Sequence, residues 1–146
     1  MKKIFTILAL TIVFSVNAQD FWFQGTLSNA IQTANATASG YYSTAMGNLT
    51  TASGDYSTAM GSNTEAFGKS STAMGYSTRA SGSQSSAIGS FTTASGSDST
   101  AMGQGTNASG SNSTAMGSGT IASDFGSLVI GQYNSSGSSV TNSEDS

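Results

Sequence analysis

The sequence predicts an all-β fold, a parallel β-roll solenoid in which each 14-residue repeat forms one rung. The first observation behind this prediction is the constant length of the repeat, which recurs about seven times from Ala38 to Gly131 without an insertion. The second is that each unit contains two half-repeats that share a seven-residue frame. The third is that one face of both half-repeats carries only small side chains. A fixed period indicates an architecture of stacked, similar units.

The two half-repeats differ in how clearly their sequence motif recurs, and the clearer one is called the stronger. The stronger reads STAMG, with the variants SSAIG and SLVIG in its fourth and last copies, at residues 43–47, 57–61, 71–75, 85–89, 99–103, 113–117 and 127–131. The weaker reads ASG, with the variants AFG and ASD in its third and last copies, at residues 38–40, 52–54, 66–68, 80–82, 94–96, 108–110 and 122–124. A coiled coil is excluded, because Gly costs about 1 kcal/mol in a helix interior and Leu or Ile is absent from alternating core positions. Collagen is excluded because the chain has no Pro and Gly recurs every seventh residue.

Alternation along a strand places Ser43, Ala45 and Gly47 on one face and Thr44 and Met46 on the other. The residue two positions before each Ala is Ser or Thr, in strict alternation through the repeats. Since this face accepts only small side chains, we expect it to line a very flat roll. Two short strands and two tight turns account for the whole repeat, with Gly in turn conformations closed to other residues.

The outward faces of the two strands differ in character. The STAMG strands present a constant apolar rank, formed by Met46, Met60, Met74, Ile88, Met102, Met116 and Ile130. The ASG strands present a variable rank, formed by Thr51, Glu65, Arg79, Thr93, Asn107 and Ile121. Seven rungs at about 4.8 Å make a rod of about 34 Å, and an apolar rank of that length is unusual on the surface of a monomer. We therefore predict that the Met/Ile rank is a subunit interface and that the ASG face is exposed; an internal core stripe is the alternative for the Met/Ile rank.

This pattern resembles the head domain of trimeric autotransporter adhesins, the YadA-like heads of Gram-negative surface proteins, over about residues 34–131. That family repeats a motif of the form NSVAIGxxS between AxG-type half-repeats, and residues 112–120, NSTAMGSGT, are the nearest copy. The resemblance implies a left-handed roll, a homotrimer and adhesion to extracellular matrix or other surfaces. On this basis the predicted trimer interface is the Met/Ile rank, and the predicted adhesive face comprises Thr51, Glu65, Arg79, Thr93 and Asn107. No coiled-coil stalk or membrane-anchor barrel follows the repeats in this sequence, so a fragment of a longer surface fibre remains an alternative.

The segments outside the repeats divide the chain further. Residues 1–18 have the features of a secretory signal peptide, with Lys2 and Lys3 before an apolar run too short to span a membrane. Residues 19–35 form an entry segment, whose aromatic run 21–23 is either a hydrophobic cap or an exposed contact site. Residues 36–131 are the repeats, and residues 132–146 are predicted to be a flexible polar tail. The product is expected to be exported, secreted or held at the outer membrane, with no later transmembrane segment.

The residue types present limit the possible chemistry. The chain has no His and no Cys, which excludes a Ser-His-Asp triad, a cysteine nucleophile and a zinc site with nitrogen or sulfur ligands. Loss of the signal peptide leaves two basic residues against seven acidic ones, and nucleic acid binding requires a clustered basic face. The acids Asp55, Glu65, Asp98 and Asp124 occupy different places in the repeat. We expect no enzyme activity, no cofactor, no metal and no nucleic acid partner.

Two non-enzymatic functions remain. The first is a trimeric adhesin head that attaches by many weak contacts. The second is an ice- or polymer-binding solenoid, in which a flat rank of hydroxyl residues on the STAMG face would match a regular surface. That rank is Thr44, Thr58, Thr72, Ser86, Thr100 and Thr114. The two functions differ in whether this face is covered in the assembled protein.

Overall fold

The chain folds into two sheets of mainly parallel strands that face each other across a thin interior. The computed structural model describes residues 30–136 and the backbone of Phe23–Gln24. Within these residues the STAMG sheet has nine strands: β1 (Phe23–Gln24), β2 (Ile31–Gln32), β4 (Thr44–Asn48), β6 (Thr58–Ser62), β8 (Thr72–Tyr76), β10 (Ser86–Ser90), β12 (Thr100–Gln104), β14 (Thr114–Ser118) and β16 (Leu128–Gln132). The ASG sheet has seven: β3 (Ala36–Ala38), β5 (Thr50–Ala52), β7 (Glu65–Ala66), β9 (Arg79–Ala80), β11 (Thr93–Ala94), β13 (Asn107–Ala108) and β15 (Ile121–Ala122).

Successive rungs stack in register, each one repeat after the last. From β4 to β16 every neighbouring pair in the STAMG sheet is parallel, and Met74 in β8 lies opposite Ile88 in β10. The rungs are joined by backbone hydrogen bonds in both the strands and the turns. The N–H of Thr72 donates to the carbonyl of Ser85 at 2.9 Å, and in a turn the N–H of Tyr56 donates to the carbonyl of Tyr41 at 2.7 Å. The prediction of a parallel β-solenoid with a 14-residue rung and about seven rungs is confirmed.

The interior is as small as the repeat predicts. In a typical rung Ser71 and Ala73 from one strand face Thr78 and Ala80 from the other, and none is more than 1% exposed. No fully buried side chain among the described residues is larger than Thr. Leu or Phe could not enter this space without separating the sheets, so each rung buries little apolar surface and the backbone bonds between rungs hold the fold together.

The regular spacing of Gly within the repeat has a cause beyond the one predicted. Gly47 does not lie on the inner face with Ser43 and Ala45, because it is exposed while they are fully buried. The tight turns are also filled largely by other residues in the left-handed region, such as Tyr42 (φ 52°) and Leu49 (φ 54°). The prediction that Gly supplies the turn conformations is therefore wrong for turns such as these, although the Gly that ends each STAMG unit does have a positive φ, 125° at Gly75.

The close approach of successive rungs requires Gly in both half-repeats. A Cβ on Gly75, whose φ is 125°, would overlap the carbonyl oxygen of Gly89 in the next rung. A Cβ on Gly68, which has an ordinary φ, would overlap the carbonyl oxygen of Gly82. Gly is thus needed at both positions because backbone of the next rung occupies the space of a side chain.

The amino-terminal end of the roll begins within the predicted entry segment. Strand β2 pairs in parallel with β4, and β1 pairs with β2 in the antiparallel direction. The side-chain Oε1 of Gln32 accepts the N–H of Ala38 at 2.8 Å, and Thr33 exchanges bonds of 3.0 Å with the backbone of Gly47. These side chains provide hydrogen-bond partners for the backbone of the first rung, which has no complete rung before it among the described residues.

Several predictions fall on residues that the structure does not describe. They are the signal peptide at residues 1–18, the side chains of the aromatic run at 21–23, and the polar tail beyond residue 136. Within the described part of the chain, no helix is long and apolar enough to cross a membrane.

Candidate functional site

The outward face of the STAMG sheet carries the predicted interface residues as one unbroken rank. Strand register places Met46, Met60, Met74, Ile88, Met102, Met116 and Ile130 directly above one another. All except Ile130 are partly exposed, because each side chain is shielded by its neighbours above and below. Ile130, which has no strand beyond it in the described residues, is 57% exposed. The rank is an apolar stripe with solvent on its outer side in the single chain.

A hydroxyl rank runs beside the Met/Ile rank on the same face. Thr72 lies opposite Thr58 and Ser86 in the neighbouring strands, two residues before Met74 in the sequence. These hydroxyl residues are partly exposed, as the methionines are. The face therefore has one column of Thr or Ser and one of Met or Ile. A surface that matches ice through two hydroxyl columns would require Thr at the Met positions.

The outward face of the ASG sheet holds the predicted adhesive residues, again in one rank. Thr51, Glu65, Arg79, Thr93 and Asn107 follow each other through β5, β7, β9, β11 and β13. Arg79 is exposed and the other four are partly exposed. These five side chains are polar and change in chemistry from rung to rung, and the next residue of the rank, Ile121 in β15, is apolar.

The ASG face has one local cluster that the sequence did not predict. The guanidinium of Arg79 forms an ion pair with Glu65, with an N–O distance of 3.0 Å, and lies 4.9 Å from the ring centre of Phe67. Phe67 stands where other rungs have Ser, so this is the one described rung of the face with a large apolar side chain at that position. The signals in the sequence were the AFG variant and the separation of Glu65 and Arg79 by one full repeat.

Aromatic side chains gather on the edges of the roll, at the turns. At one edge the rings of Tyr42 and Tyr56 are stacked with centres 5.5 Å apart, and Tyr41 lies 6.5 Å from Tyr42. At the other edge Tyr76 and Phe91 meet edge to face at 5.3 Å. All five side chains are about half exposed. Sequence analysis did not single out these residues, although their spacing of about one repeat places them in adjacent rungs.

The acidic residues are dispersed over the surface as their places in the repeat imply. Among the described residues no three His, Cys, Asp or Glu side chains gather where they could hold a metal ion. Asp55 makes a structural contact, since its Oδ1 accepts the N–H of Tyr41 at 2.9 Å.

Comparison with known families identifies the type of repeat. A family model described as the YadA head domain repeat, in two copies, matches residues 34–64, 66–92 and 94–120. The chain belongs to the YadA head family. The resemblance seen in the STAMG and ASG half-repeats is thereby confirmed, and YadA heads are adhesin-type domains of the bacterial cell surface. A search of curated proteins found no significant match to the chain.

For this YadA head, membership of the family identifies the repeat and the type of domain. The roles of the two faces are a separate question. The structure brings the Met/Ile residues into one rank and the variable residues into another, but their parts in assembly and attachment stay predictions.

Proposed function

We propose that this chain is the head of a surface adhesin that acts as a homotrimer, with three rolls packed together through the Met/Ile rank. The observation that carries the proposal is the constancy of that rank beside the variability of the ASG face. Each of its seven positions is Met or Ile, whereas the outward rank of the ASG sheet contains Thr, Glu, Arg, Asn and Ile. An interface between identical copies requires the same chemistry on every rung, and a solvated face does not.

The thin interior of the roll supports the same proposal. Among the described residues the fully buried side chains are those of Ala, Ser and Thr, so one roll buries little apolar surface. Covering the Met/Ile rank with two other copies would add apolar burial on every rung. In the proposed assembly the coil is left-handed and the three chains lie side by side, as in the family that the repeat resembles.

Attachment in this proposal takes place on the outer surface of the trimer, without catalysis. Beside its variable rank, the ASG face carries Ser at one exposed or partly exposed position of successive rungs, as at Ser81, Ser95 and Ser109. These Ser residues are about 4.8 Å apart along the roll, so a contact made by one of them is repeated by the next. Weak contacts summed over rungs and over three copies give useful avidity. The proposed setting is the outer surface of a Gram-negative bacterium, reached through the predicted signal peptide at residues 1–18.

The test of the trimer is the solution mass of the exported protein, measured by light scattering on a sizing column. We expect a mass that is a multiple of three chains, and loss of the threefold assembly in Met74→Lys because the charge would be buried in the interface. Thr93→Lys is the matched control, since it places the same charge on the ASG face in the middle of the roll. Circular dichroism establishes that both variants keep their β-structure.

The test of attachment compares the same proteins on a surface coated with reconstituted extracellular matrix. We expect the wild type to be retained at least tenfold more strongly than Met74→Lys, because the variant loses multivalency. A folded wild-type monomer would refute the trimer and leave the Thr and Met columns open to solvent. Thermal hysteresis in that monomer would support the ice-binding alternative.

A further inference from the structure

The two turn edges of the roll differ in charge. The turns that follow the STAMG strands contain only Ser, Asn, Gln, Gly, Leu and aromatic residues, and we call them the uncharged edge. The turns of the opposite edge carry Asp55, Lys69 and Asp98. The uncharged edge comprises residues 48–49, 62–63, 76–77, 90–91, 104–105, 118–119 and 132–133. A ligand bound there meets aromatic, amide and hydroxyl groups, without an ionic partner from these turns.

Two aromatic residues of the uncharged edge hold an unfavourable backbone conformation. Phe91 has a φ of 55° and Tyr133 a φ of 56°, in the left-handed region, and both side chains are more than half exposed. This conformation is costly for a bulky residue, and burial of the rings returns little. Asn63 and Gly105 occupy the equivalent place in other rungs, so the turn does not require an aromatic residue. Strained positions of this kind cluster at binding sites.

Two successive glycines separate these aromatic residues along the edge. Phe91, Gly105, Gly119 and Tyr133 follow one another in consecutive rungs. A Cβ on Gly105 would meet no atom closer than 4.0 Å, whereas a Cβ on Gly119 would lie 2.6 Å from Cδ1 of Tyr133. The ring of Tyr133 therefore lies over Gly119, and the space at Gly105 is open. We call this space, with Phe91 on one side and Tyr133 on the other, the Gly105 notch.

The Gly105 notch has room for one ring. Phe91 stands one rung before Gly105, and the ring of Tyr133 lies over Gly119, one rung after it. Since rungs are about 4.8 Å apart, the two rings are separated by about 10 Å. Stacked rings have centres about 4.5–7 Å apart, so one further ring fits between them. Tyr76, in the rung before Phe91, contacts it edge to face at 5.3 Å and supports it from the other side.

Neutral hydrogen-bonding groups flank the Gly105 notch. Gln104 and Ser118 directly precede the two glycines, and both are accessible to solvent. The amide of Gln104 and the hydroxyl of Ser118 form no hydrogen bond with another described residue. An apolar side chain placed in the notch would remove these groups from water without giving them a partner, which is unfavourable. A ring that carries hydroxyl groups on its rim would supply partners to both.

We infer that the Gly105 notch binds a pyranose ring of an uncharged oligosaccharide, stacked between Phe91 and Tyr133. A pyranose of the β-glucose type has equatorial hydroxyls, so both of its faces are apolar C–H surfaces and its rim is polar. The two aromatic side chains fit the faces, and Gln104 and Ser118 fit the rim. Acidic sugars are recognised by Arg or Lys, which these turns lack. The notch is separate from the ASG face, and its binding does not require the proposed trimer.

Isothermal titration calorimetry of the exported protein with cellohexaose, a chain of six β-linked glucose units, tests this inference. We expect saturable binding, and an affinity about tenfold lower in Phe91→Asn, because one of the two stacking partners is lost. The turn tolerates this change, since Asn63 has the equivalent place and a φ of 55°. Tyr56→Asn is the matched control. It removes an exposed aromatic residue with a φ of 59° from the opposite edge and should leave the affinity unchanged.

A second variant keeps both aromatic residues and closes the space between them. Gly105→Asn places a side chain in the notch at a φ of 61°, a conformation that Asn adopts readily. We expect it to lower the affinity for cellohexaose about tenfold or more, because the side chain occupies the place of the sugar ring. Circular dichroism establishes that each variant keeps its β-structure. If Phe91→Asn loses that structure, Gly105→Asn alone decides the test.

Three results would overturn the inference: no saturable binding of cellohexaose, an affinity that neither notch variant changes, or an equal loss in Tyr56→Asn. The peptide Gly-Phe-Gly is titrated in parallel. Tighter binding of this peptide, weakened by the same two notch variants, would identify the notch as a site for an apolar side chain and would also overturn the inference. The number of chains measured by light scattering is independent of these titrations, so failure of sugar binding would leave the homotrimer proposal unaffected.

Discussion

Gly75 and Gly89 stand one above the other in β8 and β10, so close that a Cβ on Gly75 would overlap the carbonyl oxygen of Gly89. The spacing of the rungs is set by the hydrogen bonds between strands, and the backbone of one rung occupies the space in which a side chain of the other would lie. Gly at this position is therefore a condition for stacking. A rung needs Gly at this position only when another rung stacks on it.

Gly75→Ala is expected to lower the free energy of unfolding by roughly 3 kcal/mol, because the methyl group forces two backbones apart at an unfavourable φ. Gly105→Ala is the control. Gly105 has a φ of 61° and its Cβ would meet no atom closer than 4.0 Å, so about 1 kcal/mol is expected. Urea unfolding followed by circular dichroism measures both. Equal losses in the two variants would contradict the stacking explanation.

Thr78→Val tests the buried hydroxyls of the interior. The Oγ1 atoms of Thr78 and the five equivalent Thr residues have no hydrogen-bond partner among the described residues. A buried hydroxyl without a partner is destabilising, and Val has nearly the same shape. We expect Thr78→Val to raise the free energy of unfolding by about 1 kcal/mol, measured by urea unfolding.

The control for this prediction is Ser85→Ala, which removes a hydroxyl that does have a partner. The Oγ of Ser85 donates to the carbonyl of Gly82 at 2.7 Å. Its loss is expected to lower the free energy of unfolding by about 1 kcal/mol. If Thr78→Val proves as destabilising as Ser85→Ala, the Thr hydroxyls make bonds that stabilise the roll.

Leu49→Asn is expected to raise the melting temperature. Leu49 is 65% exposed and has a φ of 54°, in the left-handed region. This backbone conformation costs a residue such as Leu about 1 kcal/mol, and it costs Asn less. Asn63 occupies the equivalent turn of the next rung with a φ of 55°. Leu49→Ala separates the two effects, since it removes the exposed apolar surface but keeps the unfavourable φ. An equal gain in both variants would assign the effect to exposure.

Arg79→Gln is expected to lower the free energy of unfolding by less than about 1 kcal/mol. The ion pair with Glu65 and the contact with Phe67 are both on the surface, where such interactions contribute little. The loss should shrink in 1 M NaCl, in which charges are screened within about 3 Å. A loss that salt does not change would indicate that packing of the Arg79 stem on Phe67 dominates.

The architecture could be predicted from the sequence because the same pattern of residues recurs in every 14-residue unit. Alternation in STAMG placed Ala73 inside and Met74 outside, and the 14-residue period placed Met74 opposite Ile88. Each of these inferences needs only the geometry of a strand and the constant length of a rung. The two ranks of candidate site residues were predictable for the same reason.

Features that depend on contact between particular rungs, or on segments outside the repeat, were decided by the tertiary structure. The sequence shows that Gly75 recurs, but only the stacked backbones show that it is needed for space, while Leu49 and Tyr42 accept the left-handed turns. Likewise, Ser136 has no distinguishing motif, although it lies one full repeat after Ala122. Its hydroxyl accepts the N–H groups of Ser123 and Asp124 at the last strand of one sheet, and β16 is the last strand of the other sheet among the described residues. The groups that satisfy the backbone at the end of a stack come from whichever segment lies nearby. The period of the sequence determined the rung, and the contacts between rungs determined how the stack packs and where each sheet ends.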